Sequence, residues 1–299
     1  MSLDFSGRVA IVTGAGQGLG RTHALALAKR GAKVVVNDLG AATDGTGGDV
    51  SPAQKVVAEI EAMGGEAIAN GANVCDEAQV AAMVAGTMEK WGRIDILVNN
   101  AGILRDKTFS KMSLDDFRAV VDVHLMGSVT CTKAVWEIMR EQAYGRIVMT
   151  TSSSGLYGNF GQSNYGAAKL ALVGLMNTLH LEGAKFNIRV NSLAPVAATR
   201  MTEGLMPEEA FAALKPELVS EGLVTLVHED APSRMILCAG AGGFARANIF
   251  ETKGIHLSEA DTTAENLVTR MDDINNEDGH EAFTQGAQQS MKFLSALMK

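Results

Sequence analysis

The sequence predicts an α/β protein: a three-layer, doubly wound parallel sheet in one domain, with a helical extension at its C-terminal end. Three observations predict it. Short runs, most of them rich in Val and Ile, alternate with stretches long enough for a crossover helix. The runs are apolar throughout rather than every second residue, as in strands buried on both faces. A glycine-rich turn ends the first run and opens the first helix.

In chain order, the strands are expected at 8–13 (RVAIVT), 33–38 (KVVVND), 66–70 (EAIAN), 94–100 (IDILVNN), 145–150 (GRIVMT) and 188–194 (IRVNSLA), with a last one at 234–240 (RMILCAG). Crossover helices are expected at 18–30, 52–63, 76–91, 114–142 and 163–185. The helix near 76 has an acidic start in Asp76 and Glu77, suited to the positive end of a helix dipole. Residues 39–52, rich in Gly, Asp and Thr, read as a surface loop that delays the following helix. After about 195 the rhythm becomes irregular, and 196–222 reads as a substrate loop with short helices. The expected division is a main domain at 1–254 and a polar, helical tail at 255–299. That tail is too short and too polar to bury a core of its own, so it is expected to pack on the domain or on a second subunit.

A formal charge of −8 argues against nucleic acid or an anionic membrane as the main partner, because phosphates would meet no broad basic face. No apolar run reaches spanning length, and the N-terminus lacks a basic region followed by a long apolar core. The C-terminus is not a peroxisomal address of the Ser-Lys-Leu kind, so a cytoplasmic location is expected. Cys75, Cys131 and Cys238 are odd in number and far apart, which reads as reduced small hydrophobes rather than disulfides. No histidine or cysteine grouping has metal-ligand spacing, so no metal is expected.

The turn VTGAGQGLGRTHA places Gly14, Gly18 and Gly20, with Leu19 between the last two, between a strand and a helix. Glycine lets the backbone approach a pyrophosphate, and the helix N-terminus offers unpaired N–H groups. Asp38 ends the next strand, roughly twenty positions on, where a carboxylate accepts ribose hydroxyls and repels a 2′-phosphate. NAD is therefore expected over NADP. Arg21 is the residue that could reverse this by reaching a 2′-phosphate, or else is a solvated helix charge.

Downstream, NNAG at 99–102 and Tyr165-x-x-x-Lys169, with Ser152 thirteen residues before the tyrosine, complete an ordered set. One helical turn puts the lysine beside the tyrosine. A free phenol titrates near 10, so base chemistry at neutral pH needs a shift of roughly 2–3 units, which an adjacent ammonium and a cationic cofactor ring would favour. Together these motifs resemble the short-chain dehydrogenase/reductase superfamily, over roughly 7–250. VVVNDLG, NNAGILRD, VHLMGS and SGLYGNFGQSNY further resemble its (3R)-hydroxyacyl-CoA dehydrogenase branch, found in peroxisomal multifunctional enzymes of type 2 and bacterial stand-alone relatives.

The resemblance implies a Rossmann-like fold and hydride transfer, with Tyr165 as general acid/base, Lys169 holding the nicotinamide ribose and Ser152 polarising the substrate oxygen. It implies Asn73 and Val74 near the adenine, although Asp is more usual than Asn73. Asn100 would contact the ribose or fix the neighbouring strand. Val196 stands where many relatives have glycine, which weakens the expected nicotinamide contacts there and at Thr199. His124 replaces an asparagine that anchors a relay water, and either supports a proton relay or fills space. The implied substrate is a (3R)-3-hydroxyacyl-CoA, with a steroid or other ring alcohol as the alternative and a vestigial NAD-binding module as the rival class. Met201, Leu205, Met206, Phe211 and Leu214 could wall an apolar channel, and Arg200, Lys215 and Arg246 could meet coenzyme A phosphates. A homodimer or homotetramer, pairing through 114–142 and 163–185, and a separate hydratase are also implied.

Overall fold

A computed structural model describes residues 3–198 and 207–296. Thr199, Arg200, Met201, Leu205 and Met206 of the expected substrate loop lie outside the described residues. The elements run β1 (Val9–Thr13), α1 (Gly18–Ala28), β2 (Lys33–Asn37), α2 (Ser51–Ala62), β3 (Ala67–Asn70), α3 (Glu77–Trp91), β4 (Ile96–Asn99), α4 (Leu114–Val121), α5 (Gly127–Glu141), β5 (Gly145–Thr150), α6 (Ser153–Tyr157), α7 (Ser163–Gly183), β6 (Ile188–Val196), α8 (Glu208–Ala213), α9 (Pro216–Val227), β7 (Ile236–Gly240), β8 (Gly243–Ala247), α10 (Ala264–Thr269), α11 (Met271–Asn275) and α12 (Gly286–Ala296).

The strands form one sheet in the order β3-β2-β1-β4-β5-β6-β7-β8, with every pair from β3 to β7 parallel. The order reverses direction between β1 and β4, and that switch point opens a crevice at the carboxyl ends of the strands. Ala10 and Val12 of β1, Val34 and Val36 of β2, and Ile96 and Val98 of β4 share one face of the sheet. They pack there with Leu27 of α1, Ile60 of α2 and Leu223 of α9. The intervening Ile11, Val35 and Leu97 are equally buried. Burial on both faces is why these strands lack alternation.

The first turn of α3 is capped as its acidic start implied: Asp76 accepts from the Ala78 and Gln79 N–H groups. Two features depart from the sequence reading. The helix expected over 114–142 is interrupted by a π-helical turn at Asp122–Met126, between α4 and α5. Hydrophobic spacing barely registers one extra residue in a turn. Strand β8 was not anticipated; it follows β7 through Ala241 and Gly242, both with positive φ, the two-residue turn that a tight hairpin needs.

The chain divides into two compact units, Met1–Arg246 and Ala247–Lys299, so the boundary falls earlier than the expected 254. The second unit carries α10, α11, α12 and an isolated antiparallel bridge, Glu251 to Glu281. Lys292 of α12 closes it by bonding the Glu251 carboxylate and the Thr252 carbonyl. No helix among the described residues is long and apolar enough to cross a membrane.

Candidate active site

At the switch point, the turn between β1 and α1 needs its glycines for two reasons. Gly14 and Gly18 have positive φ. A Cβ on Gly14 would lie 2.8 Å from Ala101 Cα, and one on Gly20 would overlap the Gly14 carbonyl oxygen. No side chain caps the start of α1, leaving the N–H groups around Gly18 and Leu19 to face the cleft that these residues line.

Asp38 follows β2 and lines the same cleft. Its carboxylate accepts from Gly16 N–H at 2.7 Å and from Gly40 N–H at 2.6 Å. Gly16, not singled out in the sequence, is thus part of the site, and a Cβ there would lie 2.8 Å from Asp38. Arg21 forms a bidentate ion pair with Glu59 of α2. Asn100 lines the cleft, and its side-chain amide donates to the Thr13 and Gly14 carbonyls, both at 3.0 Å, which fixes the neighbouring strand. Asn73 and Val74 line the cleft, with the Asn73 side-chain oxygen accepting from Cys75 N–H. Val196 is exposed at the end of β6, and Pro195 lines the cleft in its place.

The cleft ends at Tyr165 and Lys169, with Ser152 beside the tyrosine. Ser152 follows β5 and caps α6, accepting from Ser154 N–H. Tyr165 enters from the first turns of α7, and Lys169 sits one turn further, 3% exposed. The Lys169 ammonium donates to the Thr150 carbonyl at 2.6 Å and lies 5.4 Å from the centre of the Tyr165 ring. Burial brings Lys169 down from the usual lysine range to about 7. The Tyr165 phenol is raised by burial, against a hydrogen bond from Ser152 that lowers it, with nearby Asp106 raising it further. The acidified phenol expected from sequence included a cationic cofactor ring, and these are the chain's own groups alone. Among them, desolvation outweighs the Ser152 hydrogen bond and holds Tyr165 up.

His124 sits in the π-helical turn, 2% exposed, with its ring edge-on to Tyr165 at 5.1 Å and 87°. Its Nε2 lies 2.8 Å from the Ile103 carbonyl oxygen and 3.1 Å from the Ile103 N–H, while Nδ1 is buried without a partner. The His124 carbonyl is occupied by the Ser128 hydroxyl at 2.6 Å. The ring, rather than the His124 carbonyl, therefore keeps an unpartnered atom. A Cβ on Gly102 would collide with the imidazole, so that glycine makes the space for it. Burial first, then Lys169, holds the imidazole well below its ordinary value and therefore neutral.

Residues farther along are less gathered. Phe211 and Leu214 are half-buried, and Lys215 and Arg246 are exposed; none of the four lines the cleft. Cys75 lines it, whereas burial pushes the Cys131 thiol up to about 12.

Comparison with known proteins follows the same outline. The family model for short chain dehydrogenase matches residues 8–210. A short-chain type dehydrogenase/reductase of Mycobacterium tuberculosis is 50% identical over 253 residues, covering 84% of this chain and 88% of that protein. Peroxisomal multifunctional enzyme type 2 of Drosophila melanogaster is 51% identical over 243 residues, 81% of this chain but 40% of that protein. Its full-length structure superposes with a TM-score of 0.83 at 39% identity, covering 99% of this chain and 50% of that one. A 7α-hydroxysteroid dehydrogenase complexed with NADH and 7-oxo glycochenodeoxycholic acid superposes with a TM-score of 0.72 at 29% identity, covering 80% of this chain and 95% of that one.

Proposed function

We propose a reaction from the premise that this chain belongs to the short chain dehydrogenase family and is an oxidoreductase: it oxidises a (3R)-3-hydroxyacyl-CoA to the 3-oxoacyl-CoA with NAD. The observation that carries the reading is the meeting of Ser152, Tyr165 and Lys169 at the end of the glycine-lined cleft.

A dinucleotide fits this cleft on structural grounds. Side chains are excluded at Gly14 and Gly20, the first turn of α1 is uncapped, and His124 Nδ1 is an unpaired buried atom beside the tyrosine. In this reading the backbone of Gly14, Gly18, Leu19 and Gly20 receives the phosphates. Asp38 takes the ribose hydroxyls, Asn73 and Val74 border the adenine, and Lys169 holds the second ribose, with Val196 and Thr199 beyond it. The Asp38 charge favours NAD over NADP, since a 2′-phosphate would sit against a carboxylate already fixed by two N–H groups.

When bound, the nicotinamide supplies a hydride acceptor and a positive charge near the phenol. Tyr165 accepts the substrate hydroxyl proton at its phenolic oxygen, and Ser152 donates a hydrogen bond to the substrate oxygen. Lys169, brought to about 7 by burial, would hold the ribose hydroxyl oxygens, which favour its charged form, and that charge would lower the phenol. His124 stays neutral, and its unpaired Nδ1 would hydrogen-bond a water that carries the proton away while the ring itself stays unprotonated.

The acyl-CoA substrate is supported by the likeness to the Drosophila multifunctional enzyme. This chain spans 40% of that protein's length, and a hydratase reaction would supply the hydroxyacyl group. The likeness to 7α-hydroxysteroid dehydrogenase favours a second reading, a steroid alcohol substrate. Pairing of subunits is supported by a groove between α5 and α7, where Val129, Trp136, Leu175 and Leu179 are flanked by Thr132, Lys133 and Glu182. A cytoplasmic setting completes the reading.

The deciding experiment is a substrate panel followed by NADH absorbance, with NAD and NADP compared. Acyl-CoA esters with NAD are expected to turn over at least ten-fold faster than free steroids or NADP reactions. Steroid turnover without acyl-CoA turnover would discard the primary reading.

A further inference from the structure

We infer that Arg105 is a positioning residue that latches residues 40–49 as a strap across the cofactor cleft; this rests on the dinucleotide reading above. The segment LGAATDGTGGDV is too glycine-rich for helix or strand, and Gly40, Gly45 and Gly47 all adopt positive φ. It is nevertheless folded. Ala42 N–H donates to the Thr46 carbonyl at 2.8 Å, the Asp44 carboxylate accepts from the Thr46 N–H and hydroxyl, and Asp49 N–H closes the base on the Leu39 carbonyl at 2.9 Å.

This closed loop reaches the opposite wall. Leu104 N–H donates to the Thr43 carbonyl at 2.9 Å, Arg105 Nε donates to the Asp44 carbonyl at 3.0 Å, and Gly45 packs bare against Ile103. Ala42, Thr43 and Gly45 line the cleft from the strap side, and Ala101, Gly102 and Ile103 from the other. The strap therefore bridges the cleft, and a dinucleotide beneath it leaves only when the contacts to 103–105 break.

The anchoring segment also carries the reacting cluster. Ile103 holds His124 through its main chain. The Arg105 carbonyl accepts from the Asn164 side chain at 3.0 Å, and that side chain's oxygen accepts from Tyr165 N–H at 2.8 Å. Asp116 fixes the Arg105 guanidinium from the other side at 3.3 Å. Strap, Arg105 and catalytic helix thus lie on one line of contacts.

The test uses the full chain with NADH as probe, its dissociation followed by stopped-flow fluorescence. Arg105→Ala is expected to raise the NADH dissociation rate and the KM for NAD about ten-fold, with kcat at saturating cofactor falling less than three-fold. Arg105→Lys restores both to within about three-fold of the unaltered chain. Asp116→Asn, which removes the charge beside the guanidinium but keeps an acceptor there, leaves them unchanged. Because Leu39 and Asp49 already touch, replacing 41–48 by two glycines leaves the base closed, and it raises the dissociation rate more than Arg105→Ala does. Dissociation rates within two-fold of the unaltered chain for both Arg105→Ala and the shortened strap would overturn the latch and leave the dinucleotide reading standing. An Asp116→Asn effect equal to that of Arg105→Ala overturns it as well, by assigning the effect to the ion pair. Absence of NADH binding by the unaltered chain overturns both readings together.

Discussion

The two ends of the cleft are built on opposite principles. Around the glycine turn, polar side chains are spent on the chain itself: Asn100 on two carbonyls, Asp38 on two N–H groups, Asn73 on its own loop. Around Tyr165, polar atoms stand unpaired or away from their ordinary charge: His124 Nδ1 has no partner, Lys169 titrates near 7, and the phenol is held up. A binding surface made of main chain gains from rigidity, since rigid N–H groups need no reordering when an anion arrives. A reacting cluster gains from desolvation, because groups denied water respond strongly to one added charge.

If this contrast is right, damage at one end should leave the other end's measurement intact. The largest expected effect is that of Tyr165→Phe. If Tyr165 is the base, as proposed, its loss should lower kcat by about 10³-fold or more, while NADH affinity by fluorescence titration stays within about two-fold. Equal losses in both would erase the distinction between the ends. Gly20→Ala should do the reverse. A methyl forced against the Gly14 carbonyl moves the phosphate turn, and cofactor affinity is expected to fall about 100-fold, with a stability loss of about 1–3 kcal/mol in urea titrations.

The pH dependence of stability sharpens the picture of the reacting end. Lys169 titrates near 7 when folded and in the ordinary lysine range, near 10.5, when unfolded. Between those values the unfolded chain binds more protons, so this residue makes stability rise with pH from 7 toward 10.5 and adds no slope below 7. Urea melts of the natural chain and Lys169→Met between pH 7 and 9 should diverge, the natural chain gaining up to about 1.4 kcal/mol per pH unit relative to the variant. Parallel curves would show that the amine keeps its charge in the fold. The smallest effect concerns Gly102→Ala, which crowds the imidazole. It should lower kcat about five-fold, and combining it with His124→Ala should add little, because both act on one ring.

Much of this architecture was legible in the residues. Continuous apolar runs located β1 to β7, and Asp76 marked the start of α3, since burial on two faces and helix capping leave local signatures. The π-helical turn did not, because its extra residue is stabilised by contacts of His124 with a segment about twenty residues earlier in the chain. Strand β8 escaped for a related reason: its residues are mostly exposed, so no hydrophobic pattern betrays a strand held by its hairpin turn. Gly16 was passed over because its importance comes from Asp38, which approaches it only after β2 pairs with β1.

By itself the sequence determined the local geometry of function: a glycine turn between strand and helix, and a lysine one helical turn beyond a tyrosine. Both follow from backbone stereochemistry, which acts over a few residues. Only the tertiary structure decided what those groups are electrically and what holds them. Burial sets the titration of Lys169 and Tyr165, and the bridging of 40–49 to 103–105 and of Ile103 to His124 sets their frame. Desolvation and long-range hydrogen bonding depend on which distant segments close around a group, and no short stretch of residues encodes that.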